Sequence, residues 1–137
     1  MVDYVATFNA SLARVSDGGL KDSFLERFYE RFVASDVAIA QKFCKTDMEH
    51  QKRMLGDSFA ELREFSGTLQ TNPYLIALAR THGIRGHDVA AAWYDRWLDA
   101  LVQTVREVDP QANNNVELAW RIVMAPGIEF MKYYRDK

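Results

Sequence analysis

One side chain in this sequence, His82, has the chemistry of a metal ligand and a place in the chain that suits one. It lies in the stretch 79–89, where the apolar residues of a predicted helix give way to a glycine. A neutral imidazole binds ferrous iron well, and a single protein ligand leaves the opposite axial position open for a small molecule. Two alternatives stay open. His82 could be a surface histidine favoured at a helix end by the helix dipole, or the neighbouring His87 could be the ligand instead.

The rest of the chain predicts helices that would position this residue. Apolar residues recur every three or four positions, which places them on one helical face, and no segment alternates as a half-buried strand does. Breaks fall at Gly18-Gly19, Asn72-Pro73 and Asp109-Pro110. The sequence therefore predicts an all-α fold of about seven or eight helices. The expected apolar stripes are Val5, Phe8 and Leu12; Leu20, Phe24, Phe28 and Phe32; Val89, Trp93, Trp97, Leu101 and Val105; and Leu118, Ile122, Ala125 and Phe130 or Met131.

Capping residues give two of these helices a defined start. Asp36 can cap a short helix over residues 37–43. Thr46 and Glu49 form the pattern of a capping box, in which each side chain satisfies a free amide at the helix start. A helix in that register ends near residues 66–67 and carries on one face Gln51, Leu55, Ser58 and Leu62.

The two helices that flank position 82 also carry boundary signals. Asn72 can cap the first of them, and Pro73 is tolerated at its first helical position. Gly83 follows its last residue, and we expect this glycine to take the left-handed conformation that ends many helices. Asp88 is then expected to cap the long helix that Asp109-Pro110 terminates.

Length and composition limit the functional classes. A chain of 137 residues is long enough for one compact domain, so we expect a single domain over residues 1–137. The 17 basic and 19 acidic residues are scattered and give a formal net charge of −2, which argues against nucleic acid or anionic lipid as a partner. No apolar stretch approaches the ~20 residues that cross a bilayer. With no signal-peptide pattern and only one cysteine, Cys44, we expect a cytoplasmic protein.

A set of individually common residues occurs in a distinctive order. Phe28-Tyr29 come first, Phe43 and the segment 46–55 follow, and His82 precedes the segment 93–99. In this order and spacing they resemble the bacterial single-domain globins, which are flavohaemoglobin-like globin domains without the reductase. Segments 116–120 and 127–131 also resemble the last helix of that family, so the resemblance covers nearly the whole chain.

This resemblance implies a globin fold, a three-over-three helical sandwich around haem b, with His82 as the proximal iron ligand. It further implies that Tyr29 lies over the distal face with its hydroxyl aimed at bound dioxygen. Gln51 matches the distal glutamine of the family, and Leu55 would close the pocket above the iron. If the register of that helix slips by one residue, His50 takes the place of Gln51.

The resemblance also implies how the haem would be held. Phe43 would pack flat against the porphyrin, and Val89 and Trp93 could line the proximal side. Each of these residues is equally compatible with an ordinary place in the core. Three arginines are candidates for pairing with the haem propionates, because guanidinium groups recognise carboxylates in a fork geometry: Arg53, Arg80 and Arg85.

Two further features concern turnover. In flavohaemoglobins a tyrosine and a glutamate near the proximal imidazole increase its electron donation, and Tyr94 and Glu129 are the plausible counterparts. The sequence given stops at Lys137 without a reductase domain, so we expect any turnover to need a separate reductase.

The function implied by the resemblance is high-affinity, reversible dioxygen binding, with nitric oxide dioxygenation or scavenging as the associated chemistry. Carbon monoxide and nitric oxide would be further ligands, and Tyr29 and Gln51 would be the residues that act on the bound gas. The alternative function is a haem-based gas or redox sensor that signals to a partner protein. A haem-free helical interaction module is the third hypothesis.

Overall fold

The computed structural model describes residues 1–17 and 19–137, and within them the chain forms seven α-helices and no strand. This confirms the predicted all-α class. The predicted break at Gly18 lies outside the described residues. No helix in these two ranges is both long enough and apolar enough to pass through a bilayer. The helices are α1 (Tyr4–Val15), α2 (Gly19–Ala34), α3 (Val37–Phe43), α4 (Met48–Thr68), α5 (Pro73–His82), α6 (Ala91–Val108) and α7 (Asn114–Tyr134).

The helices pack mainly around α7 and α6. Helices α1, α4 and α5 pack against the last helix, α7, which lies beside α6, while α6 packs on its other side against α2. The short α3 joins α2 to α4 and packs against α2. In this arrangement the end of α5, the start of α6, the α3–α4 segment and α2 are the parts of the chain that carry the candidate site.

The starts of α3 and α5 confirm the expected caps, whereas α4 begins one residue later than expected. Asp36 accepts a hydrogen bond from the amide of Ala38, and Asn72 accepts one from Leu75. The expected capping box at Thr46 is wrong. Asp47 is the cap, because its carboxylate accepts a hydrogen bond from the amide of residue 50 at 3.2 Å. A carboxylate is as good a cap as a threonine hydroxyl, and it interacts favourably with the helix dipole.

Two expectations about the chain between α5 and α6 are also wrong. Gly83 is not left-handed, since its φ is −75° and its ψ is −177°. A glycine is required there for space, because a Cβ would lie 2.8 Å from the carbonyl oxygen of Arg135. Asp88 does not cap α6, which starts at Ala91 without a side-chain cap. Asp88 instead has a positive φ of 52° and pairs with Arg135.

An aromatic cluster around Trp120 forms the part of the core that joins four helices. The indole ring is fully buried and lies 4.7 Å from the Phe8 ring, measured between centroids. The centroids of the Phe24 and Phe59 rings lie 5.9 Å and 5.6 Å from that of Trp120. These edge-on and tilted contacts connect α1, α2, α4 and α7, and aromatic pairs of this kind stabilise a fold beyond the area that they bury.

A buried polar network extends this core toward the end of α6. The Asp109 carboxylate accepts hydrogen bonds from the Ser11 hydroxyl at 2.6 Å and from the Arg14 guanidinium at 2.7 and 2.9 Å. Ser11 in turn accepts a hydrogen bond from the Trp120 indole at 2.9 Å. Burial raises the pKa of Asp109, but the hydrogen bonds from Arg14, Ser11 and the Gln111 amide outweigh it, so the net shift is downward.

The rotation of α7 about its own axis differs from the sequence prediction. Leu118 and Ile122 are each 42% exposed, and Ala125 is exposed as well. Because α7 is apolar on most of its circumference, its sequence admits more than one stripe. The helix buries its other side against α1, α4 and α6, through Val116, Ala119, Trp120, Val123, Met124, Gly127, Ile128 and Met131. On α1, the residues that face the core are Phe8, Ser11 and Val15, while Val5 is exposed.

Candidate functional site

The site begins with His82, the last residue of α5, whose imidazole is half-buried. Its Nδ1 lies 2.8 Å from the carbonyl oxygen of Leu78, one turn earlier in the helix. A carbonyl oxygen can only accept, so Nδ1 must carry the proton. The other ring nitrogen, Nε2, is therefore left with its lone pair, which is the form in which an imidazole binds a metal.

The surroundings of His82 keep this ring neutral. Burial lowers the pKa of the His82 imidazole more than the hydrogen bond to Leu78 raises it, and the nearby His87 lowers this pKa a little further. The His87 ring lies 6.4 Å from the His82 ring between centroids and is exposed. At neutral pH His82 is accordingly an uncharged base that is already oriented by its own helix.

The loop 83–90 follows His82 directly and is tied back to it. The Val89 amide donates to the His82 carbonyl at 2.9 Å, and the His87 amide donates to the Thr81 carbonyl at 2.8 Å. At Gly86 a Cβ would lie 2.2 Å from the Thr81 carbonyl oxygen, so this turn has no room for a side chain. The loop therefore folds back over the end of α5 instead of leading away from it.

Tyr29 of α2 is the second polar group of the site, and it is buried. Its ring packs edge-on against Phe28, at 4.9 Å between centroids, and against Phe43, at 5.9 Å. The hydroxyl donates a long hydrogen bond, 3.4 Å, to the backbone carbonyl of Gln51. Burial raises the pKa of Tyr29 to about 12, and hydrogen bonding to Gln51 offsets part of this rise. The phenol is therefore a protonated donor at neutral pH.

The start of α4 brings Gln51 next to this phenol. Gln51 is half-buried and Leu55, one turn later, is buried, whereas His50 is exposed. Although α4 starts one residue later than expected, this face keeps the predicted order, and Ser58 and Leu62 continue it into the core. The structure thus brings Tyr29 and Gln51 together and turns His50 away.

Several apolar side chains on α3, loop 83–90 and α6 are only half-buried. Phe43 of α3, Val89 of the loop and Trp93 of α6 pack against the core while keeping part of their surface exposed. Two further half-buried residues, Met48 and Leu78, were not singled out from the sequence, whereas Trp97 was expected in the apolar stripe of α6. The ammonium group of Lys42 donates to the His87 carbonyl at 2.5 Å, which fixes the end of α3 beside the loop after His82. Partly exposed apolar groups that converge from several elements suit a flat apolar ligand.

The three candidate arginines lie at the surface. Arg53, Arg80 and Arg85 are exposed, and none of them takes part in the ion pairs of residues 1–17 and 19–137. Lys52, by contrast, pairs with Glu49 at 3.2 Å. The described residues contain no group of three or more His, Cys, Asp or Glu side chains that could hold a metal ion by themselves.

A comparison with solved structures identifies the fold. A Pseudomonas aeruginosa protein, whose crystal structure is described as structurally highly homologous to a human haemoglobin, matches 98% of this chain and 100% of its own length. The TM-score is 0.90 and the sequence identity is 31%. This chain belongs to the globin family. No protein-family model matches the sequence, and no curated protein matches it.

Two residues of this globin were expected to support the proximal imidazole, and of these Glu129 is exposed and Tyr94 is buried. Glu129 lies on the outer side of α7, where its side chain is 75% exposed, and its partner is Lys132 at 3.8 Å. Tyr94 is buried, and burial raises its pKa to about 12 against an opposing effect of Arg135. The hydrogen bond that orients His82 comes from the globin's own α5 backbone, at Leu78. Glu129 therefore does not serve as the expected counterpart.

An open groove elsewhere on this globin has a different character. It has a volume of about 900 Å³, lies between α2 and the end of α6, and is lined mainly by charged and small polar residues. One of its carboxylates, Glu107, pairs with both Arg27 and Arg31. The groove shares no residue with the site around His82 and Tyr29.

Proposed function

We propose that residues 1–137 form a single globin domain that holds haem b and binds dioxygen with high affinity. The observation that carries this proposal is the state of His82, whose Nδ1 proton is committed to Leu78 and whose Nε2 lone pair is left available. An imidazole oriented by a backbone carbonyl is a suitable axial ligand for haem iron. The membership of the globin family and the likeness to a haemoglobin-like protein support the same cofactor.

The residues of the site fit a haem in three respects. His82 supplies one nitrogen ligand and belongs to no cluster that would complete another metal site among the described residues. Phe43, Val89 and Trp93 offer partly exposed apolar surface for the porphyrin, and Leu55 lies beneath Gln51 on α4. At the surface, three guanidinium groups without an ion pair in the described part of the chain would receive the two propionates: Arg53, Arg80 and Arg85.

We assign Tyr29 and Gln51 to the gas-binding side. Bound haem would supply a ferrous iron that binds diatomic gases and exchanges an electron. Tyr29 would donate a hydrogen bond to dioxygen, since its weak bond to the Gln51 carbonyl, at 3.4 Å, is easily exchanged. A donor facing a ligand that gathers negative charge contributes about 1.5–3 kcal/mol, which corresponds to slow release. Carbon monoxide, being less polar when bound, would gain less.

The activity that we propose for this globin is nitric oxide dioxygenation, in which nitric oxide, dioxygen and one electron give nitrate. Tyr29 and Gln51 would hold the oxygen, while Leu55 and Phe43 would keep bulk water from it. A separate reductase would return the electron after each turnover. Slow release of dioxygen suits such chemistry better than delivery of the gas.

A haem titration tests the cofactor and its ligand together. Apo-protein with equimolar haem should give a sharp Soret band and a carbonyl spectrum typical of histidine ligation, and His82→Ala should lose both. His87→Ala is the matched control, because it removes a nearby imidazole that is exposed. An unchanged spectrum in His82→Ala, or a loss in His87→Ala alone, contradicts the assignment.

A rapid-mixing experiment tests the proposed activity. Addition of nitric oxide to the oxygenated protein should convert it to the ferric form with one equivalent of nitrate. With NADH and a flavin reductase, nitric oxide should then be consumed over many turnovers. Nitrate limited to one equivalent under these reducing conditions would exclude turnover and leave stoichiometric scavenging.

A further inference from the structure

The C-terminal end of α7 contacts the loop that follows His82. Arg135 is the first residue after α7, and its carbonyl oxygen accepts a hydrogen bond from the Ile84 amide at 2.9 Å. Its guanidinium Nε donates to the Val89 carbonyl at 3.1 Å, and its Nη2 lies 2.7 Å from the Asp88 carboxylate. One residue thus contacts both ends of loop 83–90.

The sequence of the loop is adapted to this contact. A side chain at Gly83 would collide with the Arg135 carbonyl oxygen, at 2.8 Å from the Cβ. Asp88 has a φ of 52°, a left-handed conformation that is unfavourable for most residues other than glycine and tolerated by aspartate. In this conformation its carboxylate meets the guanidinium of Arg135. The loop therefore holds a costly backbone conformation at the point where Arg135 binds it.

Val89 connects this contact to the candidate iron ligand. Its carbonyl accepts from Arg135, and its amide donates to the carbonyl of His82 at 2.9 Å. A short chain of hydrogen bonds therefore runs from Arg135 through Val89 to His82. The orientation of His82 depends on two anchors, the Leu78 carbonyl on the ring and Val89 on the backbone.

We propose that Arg135 is a positioning residue for His82, which locks loop 83–90 to the end of α7 and so fixes the direction in which the imidazole points. This proposal rests on the proposed function, in which His82 ligates the haem iron. The ion pair with Asp88 is exposed and contributes little by itself. The bond to the Val89 carbonyl matters more, because it also restrains the residue that binds His82.

The test compares Arg135, at the end of α7, with an arginine within the same helix. Arg135→Gln removes the guanidinium group that contacts Val89 and Asp88. Arg135→Lys keeps the positive charge, but its single ammonium group cannot reproduce the two-sided geometry of the guanidinium. Arg121→Gln is the matched control. Its side chain is 36% exposed against 38% for Arg135, and its partners among the described residues are Asp99 and Glu117, outside the loop.

Two measurements are made on each variant. In the apo-protein, the Ile84 and Val89 amides should exchange with solvent about tenfold faster in Arg135→Gln, the effect of losing one charge-assisted hydrogen bond to the Val89 carbonyl, and at the wild-type rate in Arg121→Gln. In the ferrous haem protein, the iron–histidine stretching band should shift or broaden in Arg135→Gln. Arg135→Lys should restore neither property fully.

The outcomes separate this proposal from the proposed function. An iron–histidine band that is present in the wild type and identical in Arg135→Gln and Arg121→Gln overturns the role of Arg135 alone. Equal amide exchange in these two variants does the same. Absence of the band from the wild-type haem protein overturns the proposed function, and the role of Arg135 falls with it.

Discussion

Replacing Tyr29 with phenylalanine removes one oxygen atom from the buried part of α2 and should affect gas binding far more than stability. In the described part of the chain the hydroxyl donates one hydrogen bond, at 3.4 Å, to the Gln51 carbonyl. The packing of the ring against Phe28 and Phe43 does not involve the hydroxyl. An ordinary hydrogen bond contributes about 0.5–1.5 kcal/mol, and a long one contributes less. The free energy of unfolding should therefore fall by less than about 1 kcal/mol. The corresponding fall in Tm is less than about 4 °C.

The effect on dioxygen is expected to be larger because the same hydroxyl would face a polar ligand. Loss of a charge-assisted bond of about 1.5–3 kcal/mol corresponds to roughly 10- to 150-fold weaker binding. Most of this change should be seen in the dissociation rate, measured by stopped-flow displacement of dioxygen with carbon monoxide. The affinity for carbon monoxide should change by less than about threefold, since that ligand is the poorer acceptor.

Tyr4→Phe provides the control, since it deletes the same atom from a half-buried tyrosine on α1 that belongs to no part of the site. Its dioxygen dissociation rate should equal that of the wild type. The reasoning is refuted if Tyr29→Phe is folded and releases dioxygen at the wild-type rate. A fall of several kcal/mol in the stability of apo Tyr29→Phe would show instead that the hydroxyl is a structural group.

Three other substitutions test separate parts of the structure. Asp109→Asn should lower the free energy of unfolding by about 3 kcal/mol at pH 7, because it leaves Arg14 facing a neutral amide. Since the pKa of Asp109 is lowered on folding, its contribution to stability is present above about pH 4 and is lost as the pH falls through the folded pKa. The urea midpoints of the variant and the wild type should therefore converge in acid. Gly86→Ala should destabilise by about 2 kcal/mol in urea, because its Cβ would lie 2.2 Å from the Thr81 carbonyl oxygen, and a neutral effect would contradict the close approach. Gln51→Leu should raise the dioxygen dissociation rate about tenfold in stopped flow, and no change would remove Gln51 from the gas-binding side.

Features of the fold that are encoded locally could be predicted from the sequence. The helix starts at Asp36 and Asn72 were correct because a cap and its amide lie within three residues of each other. At residues 46–47 two capping residues are adjacent, and the structure uses Asp47 where the pattern favoured Thr46. The residues chosen by resemblance include Tyr29 and Gln51, which the structure brings into contact.

Features that depend on contacts between distant segments could not be predicted in this way. Aspartate is a common helix-capping residue, but the partner of Asp88 is Arg135, 47 positions along the chain. The stripe through Leu118 and Ile122 satisfied helical periodicity, yet the packing of the neighbouring helices selected another side of α7. Glu129 was expected near His82 from the family resemblance, and the rotation of α7 leaves its side chain exposed.

A crystal structure of the haem-loaded ferrous protein would test the central claim most directly. The account predicts that the iron is bonded to Nε2 of His82, that Nδ1 keeps its hydrogen bond to the Leu78 carbonyl, and that the hydroxyl of Tyr29 lies on the opposite face of the haem. Iron bonded to His87, or to no histidine, or Tyr29 on the same face as the ligand, would contradict it.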